Sequence, residues 1–196
     1  PAVSNQNIKG TILRDRQGNF KDLDYLIITS PKLVQPAIRL ANHHIAQNNL
    51  NVKVITTDDI YQEFSSGKQD ISAIRNLVRY VYNNASTPDN RLKYLALLGD
   101  TSVDYKNRWE DNNNIVPTFH TLQSTSNYSS YMSDDFFGMM DDNEGAMLAS
   151  DKLDIAVGRI IADEVGLANA MVNKAINYQK EVSYGSWRNN IITISD

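Results

Sequence analysis

The residues best suited to chemistry in this chain are carboxylates, and they come in groups. Gly99-Asp100-Thr101-Ser102-Val103-Asp104, Ser133-Asp134-Asp135 and Asp141-Asp142-Asn143-Glu144-Gly145 are such groups, and Asp154 opens an apolar run. Hard oxygen ligands in glycine-punctuated loops suit Ca²⁺, which accepts irregular coordination by about 6–8 oxygens. Asp100 and Asp104 directly follow a strand-like run, the place where parallel α/β sheets gather their sites. Asp100, Asp104, Asp135 and Asp154 are therefore the set expected to hold a calcium ion, if their loops converge. The EF-hand pattern is not met, because the glycine and the closing glutamate fall at the wrong spacing. The alternative is a set of solvated turn aspartates that cap neighbouring backbone amides.

Other chemistries find less support. With no cysteine in 196 residues, disulfides, thiolate metal sites and a cysteine nucleophile are excluded within the chain. The histidines are His43, His44 and His120. Adjacent helical positions point about 100° apart, so His43 and His44 cannot share a metal; one ring is expected to be partly buried and the other solvated. Neither G-x-S-x-G nor H-E-x-x-H occurs. No G-x-G-x-x-G follows the first strand-like run, which ends Thr29-Ser30-Pro31. Gly67-Lys68 also lacks the earlier glycine of a phosphate loop.

The elements that must position these carboxylates alternate along the chain. Tyr25–Thr29, Asn51–Thr57, Lys93–Leu98, Asp154–Val157 and Ile191–Ser195 are short apolar runs bounded by polar or turn-forming residues, as in strands buried on both faces. Between them lie helical stripes: Val34, Ala37, Ile38, Ala41 and Ile45; then Ile71, Ile74, Leu77, Val78, Val81 and Tyr82, with Asp70 as N-cap. Val165, Ala168, Val172, Ala175, Ile176 and Gln179 form the last, with Asp163 as its cap. The order predicts an α/β fold: a small, mostly parallel sheet of about four strands flanked by helices, in a caspase- or flavodoxin-like layered architecture. Residues 1–24 read as a loosely held lead-in or edge hairpin. The polar, acidic insert 99–153 is far longer than an ordinary crossover, and such loops are functional or disordered.

Composition narrows the classes further. The formal charge is −4 and the pI about 5.3, which argues against a nucleic-acid partner. The longest apolar run, Tyr94–Leu98, is far below the ~20 residues of a membrane-spanning helix. The chain starts Pro1-Ala2-Val3 and stops after a strand-like run, so it reads as an excised piece of a longer protein.

Four segments in order carry a resemblance. Gly67-Lys68-Gln69-Asp70 with Ala73-Ile74-Arg75, Tyr94-Leu95-Ala96-Leu97-Leu98-Gly99-Asp100, Ser133-Asp134-Asp135-Phe136-Phe137-Gly138 and Asp154-Ile155-Ala156-Val157-Gly158-Arg159 resemble the first subdomain of gingipain-type cysteine peptidases. Asp104-Tyr105-Lys106-Asn107-Arg108, Asp141-Asp142-Asn143-Glu144-Gly145 and Tyr184-Gly185-Ser186-Trp187-Arg188-Asn189-Asn190 resemble its sortase-like branch in the type IX secretion system of Bacteroidetes. The resemblance implies two caspase-like subdomains, with a histidine–cysteine dyad in the second. Residues 25–190 would be the non-catalytic first subdomain, and 191–196 the start of the catalytic one. It also implies a cell-surface enzyme, on the outer face of the outer membrane, that removes C-terminal sorting domains from secreted cargo. Its partners would be the second subdomain, the cargo and other secretion components. None of the three histidines matches the family's catalytic histidine, so the chain carries no catalytic residue by this reading. Asp196 is the exception, as a carboxylate that would orient that histidine. The competing readings are a flavodoxin-like binding module whose acidic insert docks a protein or sugar, and a purely structural domain that spaces a larger outer-membrane assembly.

Overall fold

The computed structural model describes residues 11–123 and 125–194. Four parallel strands form the sheet: β1 (Tyr25–Thr29), β2 (Val52–Thr56), β3 (Tyr94–Leu98) and a late strand, numbered β6 in chain order, over Ala156–Ile160. Their spatial order is β2-β1-β3-β6. Helix α1 (Val34–Asn48) follows β1, α2 (Thr57–Phe64) and α3 (Ile71–Asn83) follow β2, and α4 (Val165–Tyr178) follows β6. The expected α/β sheet and its four strands are borne out.

Alternation along the strands sorts side chains onto two faces. Leu26, Ile28, Leu95 and Leu97 pack with Ile60 of α2 and with Ile74, Leu77 and Val78 of α3. Ile27, Ala96 and Leu98 pack on the other face with Ala37, Leu40 and Ala41 of α1 and Ala168 and Val172 of α4. The chain leaves β1 first toward β2 and later toward β3, so the strand order reverses between β1 and β3.

Several local expectations are corrected. Ile38 and Ile45 face outward, and the buried stripe of α1 runs through Ala37, Leu40 and Ala41 instead. Helix α2 is absent from the sequence reading because it begins at the end of β2 without a loop; Thr56 caps it by accepting from the Asp59 amide. Asp70 does cap α3, accepting from the Ser72 amide at 2.8 Å. Glu164, not Asp163, holds the cap position of α4, with no side-chain cap bond. Strand β6 runs Ala156–Ile160 rather than Asp154–Val157. Its Gly158-Arg159 looks like a turn, but the Arg159 charge is matched inside the fold. Within the lead-in, residues 11–24 form a hairpin-like turn with an antiparallel Arg14–Phe20 bridge and are held firmly: Leu13 and Leu23 are buried, and Arg14 donates to the Tyr80 hydroxyl at 2.5 Å and lies over the Phe20 and Tyr80 rings. His43 and His44 are both half-buried, sharing hydrogen bonds with Gln179 and Asn48.

The insert packs on the sheet domain. It contains a two-stranded antiparallel ribbon, β4 (Phe119–His120) with β5 (Met132–Ser133), then a 3-10 turn at Asp135–Gly138. The turn drives Phe136 and Phe137 into the α2/α3-side core, joined by Val116 and Met140. Gly138 has no room for a side chain: a Cβ there would stand 2.6 Å from Val157 Cγ2 and 2.7 Å from Leu153 Cδ2. Arg75 and Arg79 of α3 donate to the carbonyls of Met139 and Met140 at 2.7 and 2.9 Å. The expected strand at 191–195 is not formed over 191–194; Ile191, Ile192 and Ile194 are 85–95% exposed, because no neighbouring strand covers them. Ser195 and Asp196 lie outside the described residues. Among the described residues no helix is long and apolar enough to cross a membrane.

Candidate functional site

The carboxyl ends of β3 and β6 carry the densest polar network. Gly99 closes β3 with φ +155°, and a Cβ there would stand 2.8 Å from both Ile115 and Val116 side chains. That close approach lets the insert return over the strand end, where the amides of Ile115 and Val116 both donate to the Asp100 carbonyl at 3.0 Å. Arg159, projecting from β6, is the hub. It donates Nε and Nη2 to the two carboxylate oxygens of Asp134, each at 2.7 Å, in a bidentate fork. Its Nη1 donates to the carbonyls of Gly99 and Val116 at 2.8 and 2.7 Å. Thr118 donates to Asp134 at 2.7 Å. One guanidinium thus ties β3, β6 and both limbs of the insert.

Both partners stand inside the motifs picked out from the sequence, yet their pairing was missed. The available signal was a charged residue within an apolar run, which must find a counter-charge if the run is buried.

The four carboxylates expected to bind calcium are used separately. Asp100 accepts from the Thr101 amide and from Asn113 Nδ2. Asp104 accepts from the Trp109 amide at 2.7 Å and Asn112 Nδ2 at 3.0 Å. Asp154 accepts from the Met140 amide at 2.7 Å, and Asp135 is exposed at the head of the 3-10 turn. Among the described residues no group of three or more Asp, Glu or His side chains is close enough to hold a cation. Asp100, Asp104 and Asp154 thus accept from nearby donors while Asp135 faces solvent, as the turn-capping alternative describes.

Burial works to raise the Asp104 pKa, but the Trp109 and Arg108 amides and Asn112 outweigh it and hold the carboxyl below the ordinary 3.8. A depressed folded-state value stabilises the chain above the unfolded value of about 3.8, and that stabilisation is lost as pH falls through the folded value. Asp104→Asn is therefore expected to melt below wild type at pH 7, with the gap closing as pH falls below the ordinary carboxylate value and the Asp104 carboxyl protonates. Melting curves from pH 7 to 2 check this, and a gap independent of pH would assign the loss to packing.

No nucleophile–base pair forms among the described residues. His120 is kept neutral by burial, which lowers its pKa, with the Ser102 carbonyl opposing the shift as hydrogen-bond acceptor. Its ring meets Tyr105 at 6.1 Å between centroids. The Arg159–Asp134 pair at this edge holds β3, β6 and the insert together.

A model of peptidase family C25 matches residues 19–196. The chain belongs to this family. The resemblance to gingipain-type peptidases is borne out, and solved structures share the fold. Dimeric latent PorU from Porphyromonas gingivalis superposes with a TM-score of 0.70 at 26% identity, over 91% of this chain and 17% of that one. The complex of RgpB pro- and mature domains from the same organism gives 0.56 at 17% identity, over 80% of this chain and 29% of that one, which shows a shared fold. Among curated proteins none matches the chain. This C25 chain therefore spans less than a third of the solved relatives it resembles.

Proposed function

We propose that this C25 chain is the non-catalytic first subdomain of a longer cysteine endopeptidase. In that protein a second subdomain supplies the thiolate and the histidine. The observation that carries this reading is the family match over residues 19–196 in a chain without cysteine. A thiol nucleophile needs a base within hydrogen-bond reach, and this chain supplies no thiol. The free edge of the sheet supports the reading as well. β6 is paired on one side alone, and Leu153, Ile161 and Val165 near it are exposed together with the Ile191–Ile194 segment. Apolar surface of this kind marks an interface.

Within the family, the likeness to PorU favours a sortase-like role on the bacterial surface: removal of C-terminal sorting domains from secreted cargo, with that cargo and other secretion components as partners. Asp196 is proposed as the carboxylate that orients the catalytic histidine. In the longer protein, Asp196→Asn is expected to lower kcat about a hundredfold with KM little changed, as loss of an orienting carboxylate does. Wild-type kcat in a folded variant would move the role to another residue. The 196-residue chain alone is expected to hydrolyse no peptide and to take no label from a thiol-reactive probe.

A second reading has its own observation. A cleft of about 890 Å³ opens between the β4–β5 ribbon and the start of α3, walled by Tyr105, His120, Tyr131 and Met132. Leu122 and Tyr128 on the same insert are almost fully exposed. This surface suits docking of a protein or sugar by the insert. Retained binding of cargo by the 196-residue chain, with no loss of activity when the ribbon is altered in the longer protein, would favour it.

A further inference from the structure

Beyond α4 the chain does not continue as an open linker. Two 3-10 turns, Glu181–Ser183 and Ser186–Asn189, fold it back onto the end of the helix. Arg188 is at the centre of this fold-back. Its guanidinium carbon lies 4.0 Å from the centre of the Tyr178 ring, 4.3 Å from Tyr184 and 5.3 Å from Trp187. Nη2 donates to the Tyr178 carbonyl, and to Ser183 Oγ at 2.5 Å. Ser183 Oγ also lies 2.6 Å from the Tyr178 carbonyl, closing a ring of hydrogen bonds. Gly185 permits the arrangement, since a Cβ there would stand 2.8 Å from Trp187 Cδ1.

The chemistry is specific to arginine. Carbonyls at the end of a helix lack intrahelical partners and carry partial negative charge, so a cation is favoured there. A planar guanidinium can stack on aromatic faces while donating in its own plane; an ammonium can meet the charge requirement without the stacking. Among the described residues no carboxylate pairs with Arg188, so the Tyr178 carbonyl, the Ser183 hydroxyl and the aromatic faces hold the cation.

We propose that Arg188 is a positioning residue: it locks residues 179–190 against the end of α4 and so sets the direction in which 191–194 leaves the domain. Resting on the peptidase reading above, the lock sets where the catalytic half begins. Its energetic weight falls on a short segment outside both cores, since neither core cluster includes Arg188 or its three aromatic neighbours.

Hydrogen exchange on the whole chain tests the lock, comparing wild type with Arg188→Gln, Arg188→Lys and Tyr184→Leu. Amides of 180–190 are expected to exchange about tenfold faster in Arg188→Gln, as loss of three aromatic contacts and of charge-assisted hydrogen bonds implies. Arg188→Lys and Tyr184→Leu should fall between, with the melting temperature of the domain unchanged. Equal exchange in all four proteins overturns the proposal. A fall in melting temperature as large as that of a core substitution overturns it too, because Arg188 would then support the whole domain. In the longer protein, Arg188→Gln is expected to lower kcat about tenfold at constant KM, with partial recovery in Arg188→Lys. Accelerated exchange with wild-type kcat would overturn the positioning role. Should the longer protein show no peptidase activity, the peptidase reading falls, while exchange on this chain still decides whether the lock exists.

Discussion

Replacing Arg159 by alanine is expected to destabilise the domain by about 3–5 kcal/mol, the usual cost of removing one partner of a buried ion pair. The Arg159 side chain is 9% exposed and Asp134 22%, and four carbonyl or carboxylate oxygens depend on that guanidinium at 2.7–2.8 Å. Its loss leaves the Asp134 charge half-buried and frees the carbonyls of Gly99 and Val116. Urea unfolding followed by circular dichroism measures the effect. The double variant Arg159→Met with Asp134→Leu should recover much of the loss, since it removes both charges rather than stranding one. A single variant within about 1 kcal/mol of wild type would mean that the pair contributes no more than an exposed surface bridge.

Phe137→Ala is expected to cost a similar amount, about 3–5 kcal/mol, by lost burial and a cavity. Phe137 is fully buried and is the largest side chain in the fully buried set. It anchors the insert to the core that α3 shares with β1 and β3. Phe137→Leu, which keeps most of the volume, should cost less than about 2 kcal/mol. Equal losses for both variants would show that the site discriminates shape rather than volume. A loss below about 1 kcal/mol for Phe137→Ala would mean that the insert holds its place without this anchor.

The peptidase-family reading makes these two positions relevant to function as well as stability. Both act on the same edge of the sheet, where the insert returns over β3 and β6. A loosened insert would alter the surface available to a second subdomain, whose contacts are expected around the free side of β6.

Much of the fold was legible in the sequence because its signals are local. The runs Tyr25–Thr29 and Tyr94–Leu98 are apolar on both faces and bounded by polar residues, which names a central parallel strand wherever it is read. Asp70 before the Ile71–Val81 stripe marks a helix start by the same logic, since a capping carboxylate acts within its own turn. Helix α2 was hidden because eight residues with one fully buried position carry too short a periodic signal.

The candidate site was legible in its parts and not in its assembly. Asp100, Asp104, Asp135 and Asp154 look equivalent in the sequence, all acidic and all beside turns. In the fold Asp100, Asp104 and Asp154 each accept hydrogen bonds from nearby amides, and Asp135 faces solvent. Asp134 and Arg159 gave the opposite case: 25 residues apart, they form a hub that joins the insert to the sheet.

Strand identity, helix caps, the absence of a thiol and the family motifs were thus determined by the amino-acid sequence itself, because each depends on residue type within a turn or two of chain. The partner of each charge, the outward turn of Ile38 and Ile45, the firm packing of the insert and the fold-back around Arg188 were decided only by the tertiary structure. The physical reason is desolvation. Whether a polar group must be matched depends on how much water it loses, and that depends on segments distant in sequence closing over it.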